Sequence, residues 1–113
     1  MLVIGVIGAS YENEELNRIA YEVGHLIAEG GAALLCGGLG GVMLHACRGA
    51  KDANGLTIGI IPTDRKEDAN PYVDVPVLTG MGYARNVIIA NTSDAIIAVG
   101  GKYGTLSEIG HAL

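Results

Sequence analysis

The sequence predicts an α/β protein built on a parallel sheet of about five strands, and three observations support this fold class. Five short apolar segments rich in β-branched residues alternate with segments of helical periodicity, as in consecutive βαβ units. Glycine accounts for 18 of 113 residues, and it clusters directly after three of the apolar segments. The chain contains no Phe or Trp, so we expect an aliphatic core within a single domain of residues 1–113.

The first predicted strand, residues 2–7, is wholly apolar, which suits a strand buried on both faces. A turn at residues 8–10 follows it. The spacing of apolar residues then predicts a helix that begins after Asn13, a suitable N-cap, and ends at Gly30 and Gly31.

The second predicted strand, residues 32–36, leads into a glycine turn at residues 37–41. A helix from about residue 42 to residue 53 follows, and Asn54-Gly55 stops it. Residues 32–53 therefore repeat the order of strand, turn and helix that residues 2–30 show.

The third predicted strand, residues 56–61, is followed by a long polar segment, residues 63–76. We expect this segment to be a mobile loop, since loops of this length often act as lids or binding loops. A short fourth strand, residues 77–79, and a helix, residues 81–92, come next.

The fifth predicted strand, residues 95–99, precedes the sequence GGKYGTLSE at residues 100–108. Thr105 begins the last helix, because T-x-x-E is a capping box in which Thr105 and Glu108 satisfy backbone donors. A glycine turn before a helix N-terminus also favours a bound phosphate or carboxylate, and the local pattern leaves both interpretations open. The chain ends at Leu113 inside this helix, so we expect the domain to continue in the natural protein or to be completed by a partner subunit.

The three glycine turns are predicted to share one edge of the sheet, where the carboxyl ends of parallel strands meet. Ligands of open parallel sheets bind at this edge, and glycine lets the backbone approach a ligand closely. We therefore predict that the ligand-binding residues are Gly8, Ser10, Gly37, Gly38, Gly40, Gly41, Gly100, Gly101, Gly104 and Thr105.

Glu108 and Arg85 are the candidate catalytic residues. Glu108 falls in the first turn of the last helix, where a carboxylate is placed to orient a water or to stabilise positive charge at a sugar anomeric carbon. Arg85 is the candidate partner, because a guanidinium grips phosphate bidentately. Taken alone, an arginine at this position is more often a surface or ion-pairing residue.

Several kinds of site are disfavoured by spacing. The G-x-G-x-x-G pattern is absent after the first strand, and the second strand ends at Cys36, where a dinucleotide fold carries an acidic ribose ligand. Lys102 is followed by Tyr103, which excludes a P-loop. The motif E-x-x-H occurs twice, but the α/β pattern lacks the four-helix setting of a di-iron centre, so we predict no metal site. His45 is interpreted as a helix-surface histidine.

Charge and hydropathy limit the function classes. The net charge is −5, the pI is near 5.0 and the seven Lys and Arg are scattered, which argues against a non-specific nucleic-acid binder. The longest apolar runs fall far short of the roughly 20 residues that a membrane span needs, so we expect a cytoplasmic protein that contacts no membrane. Cys36 and Cys47 lack C-x-x-C spacing, which fits ordinary buried thiols in a reducing compartment.

Three motifs carry a resemblance to a known family: GMGYARN at residues 80–86, SDAIIAV at residues 93–99, and GGKYGTLSE. The second glycine turn (CGGLGGVM) and IGIIP at residues 58–62 extend the likeness over essentially the whole chain. The chain resembles the Lonely Guy superfamily. That group includes phosphoribohydrolases that cut the N-glycosidic bond of cytokinin riboside 5′-monophosphates, and the molybdenum cofactor carrier proteins. Members have also been labelled lysine decarboxylases, but we find no residue set for a pyridoxal phosphate site.

The resemblance implies a Rossmann-like, doubly wound fold and a homodimer or higher homo-oligomer with its sites near the interface. By position, Arg85 falls on the family's catalytic arginine and Glu108 on the glutamate that closes its P-G-G-x-G-T-x-x-E motif. Gly101, Gly104 and Thr105 fall on the turn that binds phosphate and ribose.

The departures from the family pattern resemble the carrier-like branch. Gly100 stands where the enzymes carry Pro, Lys102 replaces the next Gly, and Asn86 replaces the Lys after the arginine. One expectation is hydrolysis of a nucleoside 5′-monophosphate such as AMP, with no cofactor required. The alternative is a carrier that holds molybdenum cofactor or a related phosphorylated pterin without turning it over. A third interpretation is that the glycine turns serve only the fold.

Overall fold

The structure, a computed structural model, describes residues 1–100. Its five strands form one parallel sheet in the spatial order β4-β3-β2-β1-β5, and helices pack on both faces. This arrangement confirms the predicted Rossmann-like α/β class. The strands are β1 (Val3–Gly8), β2 (Ala33–Cys36), β3 (Thr57–Ile61), β4 (Val75–Leu78) and β5 (Ala95–Val99), and the α-helices are α1 (Glu14–Glu29), α2 (Val42–Asp52) and α3 (Asn86–Thr92).

Helices α1 and α2 cover one face of the sheet and cross each other at two glycines. A Cβ added at Gly24 would overlap the carbonyl of Ala46, and one added at Gly49 would overlap the carbonyl of Tyr21. The backbones of the two helices therefore touch directly. The core beneath them consists of aliphatic and small side chains from both helices and from four residues of the sheet: Val6, Leu34, Cys36 and Val99.

The opposite face of the sheet is covered by the short helix α3. Ile89 of α3 packs with Ile7, Leu35 and Ile60 in a second, smaller core. Consecutive residues of β2 thus enter different cores, and both Leu34 and Leu35 are buried. This two-sided burial explains why the strand sequences are apolar runs rather than alternating patterns.

The predicted helix over residues 81–92 is wrong in its first five residues. Gly82–Arg85 forms a 3-10 helix, and the α-helix begins only at Asn86. Gly80 and Gly82 both have positive φ, +62° and +59°, and an α-helix cannot accommodate such a residue in its first turn. The helical spacing of apolar residues concealed this turn.

The predicted fourth strand is also misplaced, because β4 begins at Val75 and includes Pro76. Within residues 1–100, β4 lies at one edge of the sheet and pairs with β3 alone, with Pro76 opposite Gly59. An edge strand tolerates proline because the missing N–H can face away from its neighbour. None of the helices in the described part of the chain has the length and apolar character of a membrane span.

Candidate functional site

The three glycine turns lie on three neighbouring strands. Strand β1 pairs with β2 on one side and with β5 on the other, so the turns after Gly8, Cys36 and Val99 are adjacent at the carboxyl edge. The crossover through α1 leads to one side of β1, and β5 lies on the other side. The strand order therefore reverses at β1, which is where open α/β sheets bind their ligands.

Close backbone contacts of the first turn, with β5 and with the second turn, require glycine. Gly8 is paired with Val99, and a Cβ on Gly8 would lie 2.6 Å from the Val99 carbonyl oxygen. Gly41 has φ of +63°, and its Cβ would overlap the carbonyl of Ala9. That same carbonyl accepts the amide of Val42 at 2.9 Å, so the first turn is fixed against the start of α2.

The N-termini of the two long helices differ in their capacity for an anion. Helix α1 is capped by the Asn13 side chain, which accepts the Leu16 amide at 3.0 Å, and Glu14 and Glu15 occupy its first turn. Helix α2 has Gly41 at its N-cap, no side-chain cap hydrogen bond and no acidic residue in its first turn. The partial positive charge of the helix N-terminus is thus offset by an asparagine cap and two carboxylates at α1, whereas at α2 the neutral Ala9 carbonyl accepts one amide and the first turn carries no acidic residue.

Arg85 is buried beneath the second glycine turn, with 5% of its surface exposed. Its Nε donates to the Ile60 carbonyl at 2.7 Å, and one terminal nitrogen donates to the Gly37 carbonyl at 3.4 Å. A Cβ on Gly37 would lie 2.6 Å from that guanidinium. The arginine therefore joins the end of β3 to the second turn. Its burial differs from the surface position that the residue type alone suggests.

The long polar segment after β3 contacts the second turn through Asn70. The Asn70 amide donates to the Gly38 carbonyl at 2.8 Å, and its side chain donates to the Leu39 carbonyl at 2.9 Å. Its side-chain oxygen accepts the Tyr72 amide at 2.9 Å. The sequence predicts a mobile loop over residues 63–76. In the structure this segment contains a 3-10 helix, Lys66–Asp68, and the Asn70 hydrogen bonds attach it to the second turn.

Two thiols meet directly below the same turn. The Sγ atoms of Cys36 and Cys47 are 3.5 Å apart, both residues are fully buried, and the Gly38 amide donates to Cys36 Sγ at 3.3 Å. The hydrogen bond with Cys47 does most to lower the pKa of the Cys36 thiol. The Gly38 amide and the Arg85 charge act in the same direction, against burial. The same thiol hydrogen bond and burial raise the pKa of Cys47.

His45 lies on α2, one turn beyond the second glycine turn. It is one-fifth exposed, and its Nε2 is 3.5 Å from a carboxylate oxygen of Glu12. An open groove of about 490 Å³ extends from there along the outer side of α1 and α2, and its lining includes none of the predicted ligand-binding residues. No group of three or more His, Cys, Asp or Glu side chains suited to a metal occurs within residues 1–100.

The structure places the predicted residues Gly8, Ser10, Gly37, Gly38, Gly40, Gly41 and Gly100 at or beside the carboxyl edge. Gly101, Gly104, Thr105 and Glu108 lie outside the described residues, and so does the predicted pairing of Glu108 with Arg85.

Sequence reasoning missed two features of this edge: the contacts of Asn70 and the approach of the two cysteines. Asn70 carries no signal, since an asparagine in a polar segment is ordinary. The two cysteines offered a weak signal in the sequence. Cys36 closes a buried strand and Cys47 lies in the second turn of the helix that packs on it, so both face the same core.

Comparison with known proteins identifies the family. The model of the SLOG cluster4 family (LDcluster4) matches residues 1–113. The chain belongs to the SLOG cluster4 family. This confirms the resemblance to the Lonely Guy and molybdenum cofactor carrier superfamily.

Two sequence relatives of this SLOG chain differ in how they are described. An uncharacterized protein of Archaeoglobus fulgidus is 55% identical over 114 residues, which cover all of this chain and 74% of the relative. A cytokinin riboside 5′-monophosphate phosphoribohydrolase of Mycobacterium tuberculosis is 36% identical, over 89% of this chain and 56% of the enzyme. The chain thus spans little more than half of that enzyme's length.

A solved structure of similar fold has a different described role. It is the molybdenum cofactor binding protein of Rippkaea orientalis, with a TM-score of 0.93 and 45% identity. The match covers 98% of this SLOG chain and 69% of that protein. Enzymes and cofactor-binding proteins are therefore both similar to this chain.

Proposed function

We propose that this SLOG domain binds a phosphorylated small molecule at the carboxyl edge of β2, β1 and β5. In this proposal the phosphate lies at the first turn of α2, after the second glycine turn and beside the Val42 amide, which itself donates to the Ala9 carbonyl. The remainder of the ligand extends across the first turn toward Gly100. The ligand is a nucleotide or a phosphorylated pterin.

The observation that carries this proposal is the contrast between the two helix N-termini. Helix α2 offers an N-terminus with a glycine cap and no acid, whereas α1 has an asparagine cap and two glutamates. A phosphate gains both the amide hydrogen bonds and the favourable end of the helix dipole at α2, and it would meet repulsion at α1. Both helices begin at the same edge of the sheet, so between these two N-termini the phosphate favours α2.

Within this proposal, the ligand is cargo held without turnover. The supporting observations are the described role of the Rippkaea orientalis protein, which is similar over nearly the whole chain, and the position of Arg85. The Arg85 guanidinium holds two backbone carbonyls beneath the turn, which suits a residue that shapes a binding site. Molybdenum cofactor, whose pterin carries a phosphate, is the expected cargo.

The second candidate is phosphoribohydrolase activity on a nucleoside 5′-monophosphate. The Mycobacterium tuberculosis relative favours it, and Arg85 falls on the family's catalytic arginine by position. In this version Glu108 assists attack of water through an oxocarbenium-like transition state. The family departures at Gly100, Lys102 and Asn86 count against it.

Thermal stabilisation by a matched ligand panel tests the binding proposal. The melting temperature is measured with AMP, ribose 5-phosphate, a phosphorylated pterin and unphosphorylated adenosine. Because a ligand that binds only the native state stabilises it, the phosphorylated compounds should raise the melting temperature. At a concentration 100 times Kd the gain is about 2.7 kcal/mol. Adenosine serves as the control, and a shift with adenosine equal to that with AMP would contradict a phosphate site.

A charge placed beside the second turn tests the location. Gly40 has space for a side chain, since among residues 1–100 the one atom within 4 Å of its added Cβ is the Ser10 carbonyl oxygen at 3.6 Å. Gly40→Asp should weaken a phosphorylated ligand at least tenfold, about 1.4 kcal/mol, through like-charge repulsion. Gly40→Asn has the same shape without the charge and should bind nearly as the parent chain does. Equal loss in both variants would place the phosphate elsewhere.

Release of free base separates the two candidates. Protein that binds AMP and liberates adenine is an enzyme, and Glu108→Gln should then abolish product without abolishing the thermal shift. Protein that is stabilised by the phosphorylated pterin and releases no product is a carrier.

A further inference from the structure

We propose that Cys36 and Cys47 form an oxidant-sensitive thiol pair that closes to a disulfide beneath the second glycine turn. The proposed oxidant is hydrogen peroxide, which is small enough to reach a buried site. The disulfide is a reversible modification of the chain, and its formation does not depend on what the turn binds.

The geometry of the two thiols supports this modification. Their Sγ atoms are 3.5 Å apart in the reduced protein, so closing the bond requires an approach of about 1.5 Å to reach disulfide length. Cys36 lies at the end of β2 and Cys47 on α2, and the two elements pack in one core. The chain contains two cysteines, so no other internal disulfide competes.

The surroundings assign different roles to the two thiols. Cys36 Sγ receives the Gly38 amide at 3.3 Å and lies near the Arg85 guanidinium, and both favour its thiolate. Since the thiolate is the nucleophile, Cys36 is the residue that attacks the oxidant. Cys47 remains a thiol at hydrogen-bond distance and is the residue that resolves the intermediate.

The chemistry balances with peroxide as the two-electron oxidant. The Cys36 thiolate attacks one peroxide oxygen, the O–O bond breaks, and Cys36 becomes a sulfenic acid while hydroxide leaves. Cys47 sulfur then attacks the Cys36 sulfur, the S–O bond breaks, and water departs with the Cys47 proton. The hydroxide takes up the proton that Cys36 had lost. Overall, two thiols and one peroxide give one disulfide and two waters.

The disulfide would alter the turn that carries the proposed phosphate site, and this consequence rests on the proposed function. Cys36 and Cys47 flank the whole second turn and the start of α2, so the bond ties both ends of the segment together. Closing the bond shifts one or both sulfurs, and the Cys36 sulfur is the atom that accepts the Gly38 amide at 3.3 Å. We expect the oxidised protein to bind a phosphorylated ligand at least tenfold more weakly than the reduced protein.

Peptide mapping of the native protein tests the modification. The protein is treated with peroxide and then unfolded in urea, free thiols are blocked with N-ethylmaleimide, and trypsin releases residues 19–48 as one peptide that contains both cysteines. The expected peptide carries no maleimide and has lost two hydrogens. Treatment with dithiothreitol before blocking should restore two maleimide adducts. Two adducts after peroxide treatment, or oxygen added at the cysteines without an internal bond, would overturn the proposal.

Cys47→Ala is the matched control, because it retains an apolar core and removes the resolving thiol. Its Cys36 should accumulate oxygen under the same treatment instead of losing hydrogens. Should that variant not fold, the mapping of the parent chain still decides the question, since it requires no substitution.

The ligand measurement distinguishes failure of this inference from failure of the proposed function. Thermal shifts with AMP and a phosphorylated pterin are compared before and after oxidation. A shift that is present in the reduced protein and lost in the disulfide form supports the inference that the disulfide weakens ligand binding. An equal shift in both forms overturns that inference but leaves the disulfide itself established. If no ligand shifts even the reduced protein, the proposed function fails, and the mapping result stands by itself.

Discussion

At the scale of single residues, Arg85 shows how a side chain predicted for ligand contact also holds the backbone of its own site. Its guanidinium donates to the carbonyls of Ile60 and Gly37, which belong to the end of β3 and to the second turn. Buried carbonyls left without donors are costly, so this arginine is a structural requirement of the edge whatever else it contacts.

Replacing Arg85 with alanine should therefore destabilise the protein itself. The loss of two buried, charge-assisted hydrogen bonds predicts a decrease of about 2–4 kcal/mol in the free energy of unfolding. Urea denaturation measures it. Arg65→Ala is the matched control, because Arg65 is two-thirds exposed and contacts the equally exposed Glu67, and it should change stability by less than about 0.5 kcal/mol. Similar stability of the two variants would refute a structural role for Arg85.

Asp74 gives a prediction about acid stability. Burial, the largest single effect, raises the pKa of its carboxyl. The Lys51 ammonium at 2.7 Å and the Thr57 amide at 3.1 Å together outweigh burial and hold that pKa below its ordinary 3.8. A carboxyl with a depressed pKa in the folded state stabilises the protein above its unfolded pKa, and this stability is lost as the pH falls through the folded pKa.

Asp74→Asn should accordingly lower stability near neutral pH by about 1 kcal/mol or less, since the ion pair is one-third exposed. The difference from the parent chain should disappear as the pH falls from the ordinary carboxyl pKa of 3.8 through the lower pKa of the folded state. Unfolding is followed by urea at several pH values. Asp64→Asn, at an exposed position, is the control. A difference that stays constant with pH would mean that the carboxylate charge is not responsible.

At the scale of elements, the crossing of α1 and α2 depends on the absence of two side chains. The backbones meet at Gly24 and Gly49, where an added Cβ would overlap a carbonyl of the other helix. Gly24→Ala and Gly49→Ala should each cost at least about 2 kcal/mol, because relief of the overlap must move one helix against a packed core. Gly30→Ala is the control, since the nearest atom to its Cβ lies at 3.5 Å, and it should be neutral or slightly stabilising.

Thermal or urea unfolding of the three glycine variants measures how much the close approach of α1 and α2 contributes to stability. Small and similar effects at all three positions would show that the helices separate easily and that their close approach contributes little.

The elements also show what the sequence could and could not predict. Helix α1 was predictable because Asn13, two glutamates and the terminal glycines mark its ends, and the structure places it at Glu14–Glu29. The start of α3 was not predictable, because only the backbone dihedrals reveal that Gly80 and Gly82 interrupt the helix. Strand β4 was displaced because Pro76 is a breaker in most contexts, and its edge position depends on the rest of the sheet.

At the scale of the whole molecule, the parallel sheet followed from the alternation of apolar and helical segments, but the order of strands did not. The position of β5 beside β1 is determined by tertiary packing, and the local sequence pattern carries no information about it. The location of the glycine turns at one edge of the sheet followed once parallel strands were assumed, but their adjacency depends on the strand order. The contacts of Asn70 and the thiol pair arise between segments distant in the chain, so only the folded structure reveals them.

The pairing of β1 with β5 has a consequence for the order of events during protein synthesis. Ile4 is opposite Ala95, so the first strand acquires this neighbour only after nearly a hundred residues have left the ribosome. Until then β1 has an open hydrogen-bonding edge, of the kind that invites pairing with other nascent chains. Docking of β5 closes that edge and, in the same step, brings Gly8 to Val99. A nascent chain therefore lacks the pairing of Gly8 with Val99, and with it one side of the proposed ligand site, until its sheet is complete.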